Sequence, residues 1–264
     1  MNNYEGAPNL SDKEYQLECL RINLSSLVYK GYPAFEDRFN TLKYNLERDS
    51  EGRLILPDGP WVVNNHSNRT DSETIPTKEE SNYLSAQGHE LDSNGRPIHP
   101  WFYDMINDPA LGVVVGKGAY WEWGPNYTAD PIVISEGKVL LIQRADTGVW
   151  ALPGGFIDKT DTGMEDAVTA ASRETSEEAK IVIPSNVVPK IVYKGTVADI
   201  RTTANSWAET TAILFELDNI IEPKGKLDEK EVQNVGWFPI ETVTESHLFG
   251  SHRLLLQKAI EQIN

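Results

Sequence analysis

Apolar residues early in the chain recur at helical spacing: Tyr15, Leu17, Leu20, Leu24, Leu27 and Val28 line one stripe. Ser11 and Glu14 stand ahead of it in the arrangement of a capping box, in which a hydroxyl and a carboxylate satisfy backbone donors at a helix start. Gly31-Tyr32-Pro33 breaks the pattern, and Phe35, Phe39, Leu42 and Leu46 mark a second helix, so 11–48 is predicted largely helical. From about 50 to 100 the chain is polar and punctuated by Gly, Pro, Asn and Ser. Leu54-Ile55-Leu56 and Trp61-Val62-Val63, flanking Pro57-Asp58-Gly59-Pro60, suggest a β-hairpin, and 64–82 reads as a long, partly disordered surface loop.

The texture changes after about residue 110. Gly112–Val115, Pro131–Ile134, Val139–Gln143, Lys190–Val197, Thr210–Glu216 and Val232–Pro239 read as strands. A helix is predicted over 163–179, with Met164, Val168 and Ala171 on its buried face, and a terminal helix over 249–262 contains Leu254, Leu255, Leu256, Ala259 and Ile260. Strands interrupted by one internal and one terminal helix point to an α+β fold, an α/β/α sandwich with a mixed sheet. The expected division is an amino-terminal region of helices, polar loops and a hairpin (1–110) and a second domain (111–264).

Composition narrows the function classes. The chain has 264 residues, 39% of them hydrophobic, and a formal charge of −16. Such a charge disfavours non-specific binding to nucleic acid or anionic membranes, which requires clustered Lys and Arg, but one cationic pocket can still take a small anion. No apolar run reaches membrane-span length, and MNNYEGAPNL lacks the basic and apolar regions of a secretory signal. Cys19, the single cysteine, rules out an intramolecular disulfide framework or a cysteine-based zinc site. A soluble cytoplasmic protein, monomeric or homodimeric, is the expectation.

Candidate chemistry concentrates at 173–178, Arg-Glu-Thr-Ser-Glu-Glu. On a helix, Glu174, Glu177 and Glu178 are related by i,i+3 and i,i+4 steps and crowd one face, where they repel unless a cation sits among them. Hard oxygen donors on one rigid helix suit Mg²⁺ or Mn²⁺, which bring substrate phosphates with them. A solvated acidic face is the plain alternative. The surroundings favour a site: Gly154-Gly155 precede the hexapeptide, Glu165 lies eight residues before Arg173, and the apolar KVLLIQR runs upstream.

This compound pattern resembles the box of the Nudix hydrolases, G-x5-E-x7-R-E-U-x-E-E-x-G-U. Further segments are similar to one branch, the ADP-ribose pyrophosphatases of the human mitochondrial type, and to the related domain of the ADP-ribose-gated melastatin channel. These are NGRP (94–97), VGKG (115–118), WGPN-x-x-ADPI (123–132), IQRADTGVWALPGG (142–155) and VYKG-x-V-x-D-x-R-x-T-x-N-x-W-x-ET (192–210), followed by Val235-Gly236-Trp237 and Ser251-His252. The resemblance covers about 94–264 and implies the Nudix fold and Mg²⁺-dependent hydrolysis of ADP-ribose to AMP and ribose 5-phosphate. It implies Glu174 and Glu178 as first-choice metal ligands, Glu177 as a second and the Gly155 carbonyl as a further one. Arg173 would orient a carboxylate, and Glu174 is preferred as general base over Glu231.

Asn126, Asp130, Arg144, Arg201, Asn205, Trp207 and Glu209 are the implied substrate contacts, with Arg144 and Arg201 clamping phosphates, Trp207 stacking on adenine, and Asp130 or Glu209 accepting from ribose hydroxyls. Each also has an ordinary structural reading. A pyrophosphatase for another nucleoside diphosphate derivative and a non-catalytic ADP-ribose sensor are the competing functions. Two departures stand out. Nine residues (FIDKTDTGM) separate Gly155 from Glu165 where the pattern has five, which puts the metal edge in question, and Lys180 replaces the glycine that usually ends the helix.

Overall fold

Ser11 caps helix α1 (Asp12–Ser26) as expected: its N–H and hydroxyl each donate to Glu14 Oε2 at 2.8 Å, and Glu14 N–H donates back to the hydroxyl at 3.3 Å. The structure, a computed structural model, describes residues 11–26, 46–56, 75–161, 163–243 and 248–263, without the side chains of 22–26. The expected second helix falls largely outside those residues, as do Trp61-Val62-Val63 and the Pro57–Pro60 turn. Its last positions are not helical. Strand β1 (Glu47–Arg48) pairs antiparallel with β2 (Leu54–Ile55) around Asp49, whose Oδ1 accepts from the N–H of Glu51 and Arg53 at 2.9 Å. Leu54 therefore pairs with Arg48, upstream in the chain.

Two more helices lie where the hydrophobic pattern predicts none. Helix α2 (Lys78–Ala86) begins inside the segment read as loop and runs beyond it, and the Thr77/Glu80 pair forms its full capping box. Helix α3 (Phe102–Ile106) buries Phe102, Met105 and Ile106. Gly112–Val115 is not a strand; Val114 uses its carbonyl on Ala204 N–H at 2.7 Å, while Val113 and Val115 are buried in the core. Five helices lie among the described residues, none long and apolar enough to cross a membrane.

The chain divides into two compact units, 1–126 with 196–208 and 127–195 with 209–264. The core of the first gathers Leu17 and Leu20, Leu54 and Leu56, Ile98, Trp101, Phe102 and Met105 with Ala198 and Ala204. Its interior holds an ion pair, in which the fully buried Arg96 and Asp92 meet at 2.6 Å.

In the second unit a mixed sheet runs in the order β11 (Val232–Pro239), β4 (Lys138–Arg144), β3 (Gly124–Ser135), β10 (Ser206–Glu216), β9 (Lys190–Thr196). Short β5 (Trp150–Ala151) adds to β4, and β6 (Gly155–Phe156) to β3. Ile132, Ile134, Val139, Leu141, Ala212 and Leu214 form its core with Leu255, Leu256 and Ala259 of the terminal helix α5 (His252–Ile260). β3 and β10 outrun their predicted limits because polar Asn126, Thr128, Asp130 and Ser206 hid strand residues from hydrophobic patterning.

Candidate active site

Helix α4 (Ala167–Glu178) begins where Asp166 caps it, its Oδ1 accepting from the N–H of Val168 at 2.9 Å and Thr169 at 3.2 Å. Ala170 and Ala171 face the interior, whereas Met164, expected on the buried face, is exposed before the helix starts. It belongs to a small hairpin, β7 (Lys159–Thr160) with β8 (Gly163–Met164), into which the inserted residues project. Glu165 N–H donates to Asp158 O at 2.8 Å and closes the hairpin at its base. The insertion thus leaves Glu165 where the helix can use it.

Arg173 is the hub of the acidic face. Its guanidinium donates to Glu165 at 2.9 and 3.2 Å, to Glu174 Oε1 at 2.6 Å, to Glu177 Oε2 at 3.2 Å and to the Phe156 carbonyl at 3.0 Å. Hydrogen bonds from Arg173 hold the Glu165 carboxyl below the usual range and keep Arg173 protonated. The three box glutamates do not share one environment: Glu174 is buried, Glu178 half-buried, and Glu177 exposed and turned to Arg173.

Gly154 and Gly155 bring backbone against this face. A methyl group at Gly155 would lie 2.6 Å from Glu174 Oε1 and 2.9 Å from Oε2, so a side chain there would displace the carboxylate. Gly154 N–H donates to Glu178 Oε2 at 2.8 Å. Burial pushes the Glu178 carboxyl up to about 8, the charges of Glu174 and Glu231 adding to it and the Gly154 bond and Arg144 opposing it. Burial also raises Glu174, against the pull of Arg173. Glu231 is exposed and its carbonyl accepts from Ala145 N–H at 2.9 Å, placing it on the loop into β11.

Among the described residues no three acidic, histidine or cysteine side chains form a ready cation cage. Mg²⁺ does not need one, because it keeps several waters and takes one or two carboxylates together with substrate phosphate. Glu178 and Glu174, carboxylates raised by burial, fit that demand. The glycine backbone pressed against them leaves a carbonyl-bearing edge with no side chain in the way.

The implied substrate residues divide. In the second unit, Arg144 at the end of β4 is bidentate on Asp146 at 3.0 and 2.7 Å, with its guanidinium 4.5 Å from the Phe249 ring centre, and acts electrostatically on Glu178. Asp130 is buried and accepts from Thr210 Oγ1 at 2.5 Å, and Glu209 lies half-buried on β10.

In the first unit, three of the implied contacts are engaged within the fold. Asn126 Oδ1 accepts from Trp121 and Glu122 N–H at 3.1 and 3.0 Å, and its amide donates to Glu122 O, Gly124 O and Ser206 Oγ, so its side chain is spent on the WGPN turn. Asn205 bridges Gly116 N–H and Pro97 O at 2.9 Å, tying VGKG to NGRP. Trp207 is fully enclosed, with His89 and His99 packed edge-to-face at 5.6 and 5.0 Å, and offers adenine no ring face. Arg201 forms a bidentate pair with Asp199 and lies 5.2 Å from the Tyr120 ring centre.

Two residues absent from the sequence-based site also matter. His252 Nδ1 accepts from Leu152 N–H at 2.9 Å, anchoring the approach to Gly154; its place at a helix start concealed this. Thr210, read only as a strand residue, holds Asp130.

A family model, the NUDIX domain, matches residues 126–258. Rat mitochondrial ADP-ribose pyrophosphatase is 28% identical over 206 residues, 64% of this chain and 55% of that protein. Putative nudix hydrolase 6 of Caenorhabditis elegans is 38% identical over 112 residues, 38% of this chain and 42% of that protein. The chain therefore spans about half the length of these curated relatives. The NUDIX domain of Shewanella oneidensis NrtR, solved with ADP ribose, is 25% identical with a TM-score of 0.44, covering 53% of this chain and 90% of that one.

Proposed function

The chain belongs to the NUDIX family, and from that premise we propose that it hydrolyses the pyrophosphate bond of ADP-ribose to AMP and ribose 5-phosphate with Mg²⁺ or Mn²⁺. The observation that carries the chemistry is the arrangement on α4: Arg173 engages Glu165, Glu177 and one oxygen of Glu174, while Glu174 and Glu178 pack against Gly154-Gly155. The choice of ADP-ribose rests on the name of the rat relative and on the branch-specific segments between 94 and 210.

Glu178, Glu174 and the Gly155 carbonyl would hold the ion. When bound, it neutralises phosphate charge and acidifies the attacking water. Glu174 would serve as the base for that water, since burial makes it more basic than an ordinary carboxylate and Arg173 engages its Oε1 alone. Arg173 fixes the rotamer of Glu174 through a charge-assisted bond, and Arg144, released from Asp146, takes a phosphate oxygen pair. Glu231, exposed on its loop, is the competing base.

Incubating the purified protein with ADP-ribose and Mg²⁺ should release AMP and ribose 5-phosphate. Cleavage of NADH or a nucleotide sugar with ADP-ribose left intact would overturn the substrate; tight ADP-ribose binding with no product would make the protein a sensor.

A further inference from the structure

Gly154 and Gly155 are flanked by carboxylates on both sides. Gly155 lies against Glu174, and a methyl group at Gly154 would collide with Asp130 Oδ1 and stand 2.9 Å from the Ala129 carbonyl oxygen. Asp130 is held in turn: it is buried, and Thr210, more deeply buried, donates to its Oδ2 at 2.5 Å. β3 also pairs with the glycine segment through Ala129↔Gly155 and Thr128↔Phe156. A continuous series of contacts therefore runs from Thr210 on β10 through Asp130 on β3 to Gly154, whose N–H holds Glu178 at 2.8 Å.

We infer that Asp130 and Thr210 are positioning residues for the metal-binding carboxylates: they set the depth and tilt of the Gly154-Gly155 backbone, which orients Glu178 and packs on Glu174. This inference rests on the proposed metal site and replaces the reading of Asp130 as a ribose contact. The physical case is one of close packing. A Gly-Gly segment has more backbone freedom than any other dipeptide, so its conformation must be imposed from outside. Here the chain above it is a buried carboxylate locked by a hydroxyl, and the chain below is the functional helix. Removing the Thr210 hydroxyl takes a short hydrogen bond from the Asp130 carboxylate, and the backbone donor that holds Glu178 loses part of its support. Partners one step behind a metal ligand typically govern affinity by about 10–100-fold.

The test compares the full-length protein with Thr210→Val, Thr210→Ser and Asp130→Asn, using Mn²⁺ titration read by the electron paramagnetic resonance signal of free Mn²⁺, without nucleotide. Thr210→Val keeps the shape of the side chain, and Thr210→Ser restores the donor. The expected result is at least about tenfold weaker Mn²⁺ binding in Thr210→Val and Asp130→Asn, with Thr210→Ser close to the parent. In turnover, kcat at fixed sub-saturating Mg²⁺ should fall and recover with added Mg²⁺, while KM for ADP-ribose changes little.

Unchanged Mn²⁺ binding in both weakened variants would overturn the inference and leave the metal site standing. A raised KM for ADP-ribose in Asp130→Asn, with normal Mn²⁺ binding, would return Asp130 to the substrate. If the parent protein itself binds no Mn²⁺, the metal site falls and this inference with it. Should Asp130→Asn fail to fold, the Thr210 pair still decides.

Discussion

At the scale of single residues, Glu178 carries the strongest consequence. Its carboxyl is pushed up to about 8, chiefly by burial, from an ordinary value of 4.5. A raised folded-state value means that the folded protein binds more protons than the unfolded chain between those limits. The contribution to stability is fully present below about pH 4.5 and is lost as pH rises through about 8. Without metal, Glu178→Gln should therefore remove a downward slope of stability with pH. Denaturant unfolding in chelator from about pH 5 to about pH 9 reads this directly, and parallel profiles for parent and variant would refute it. In turnover the same substitution should cost at least about a hundredfold in kcat, because it removes charge that holds the ion.

Lys180 gives a second residue-scale test. It ends the box helix with φ of 56°, the left-handed conformation that the missing glycine would have adopted. An L side chain there costs about 1–2 kcal/mol, while glycine restores about 0.4–1 kcal/mol of unfolded-state entropy. Lys180→Gly should thus stabilise by about 0.5–1 kcal/mol, measured by chemical denaturation. That Glu174, Glu177 and Glu178 share one helix ending near residue 180 was legible in the sequence because their spacing determines it. The roles of Asn126, Asn205 and Trp207 were not: an asparagine that organises a turn and one that binds a ligand have the same letter and spacing, and only burial with saturated hydrogen bonds separates them.

At the scale of elements, the hairpin 159–164 explains how a longer loop coexists with an intact box. Its ends are pinned by the Asp158 carbonyl and Glu165 N–H, and Thr160 Oγ1 donates to Gly163 O at 3.1 Å within it. Deleting 160–163 returns the spacing between Gly155 and Glu165 to five residues. Because Glu165 reaches Arg173 independently of the hairpin tip, Mn²⁺ affinity should change by less than about threefold and stability by less than about 1 kcal/mol. Loss of metal binding on deletion would show that the hairpin contributes a group to the site. The same locality explains which elements could be read in advance. Apolar β4, β11 and α5 follow periodicity, whereas α2 is announced by its Thr77/Glu80 box amid polar residues, and Gly112–Val115, apolar enough for a strand, spends its hydrogen bonds on a neighbouring loop.

At the scale of the whole molecule, sequence segments and compact units do not coincide. Residues 196–208 interrupt the second unit yet belong to the first, where Ala198 N–H donates to Gln16 Oε1 at 2.7 Å, Ala204 N–H to Val114 O at 2.7 Å and Asn205 to Pro97 O at 2.9 Å. Trp207 is buried with them. A fragment cut ahead of Tyr127 therefore keeps this segment and loses its partners from residues 1–126: an enclosed indole becomes exposed and several backbone and amide groups lose their partners. The segment leaves and rejoins at one place, since Val197 N–H donates to Ala208 O at 3.2 Å, so a tight turn can replace what lies between. Fragment 127–264 should aggregate or melt without a cooperative transition, whereas the same fragment with 198–207 replaced by Asn-Gly should melt cooperatively and bind Mn²⁺ through Glu174 and Glu178. Calorimetry and Mn²⁺ titration on both fragments decide between this and a self-sufficient 127–264. If the unmodified fragment also melts cooperatively and binds Mn²⁺, then residues 196–208 do not depend on the first unit for order.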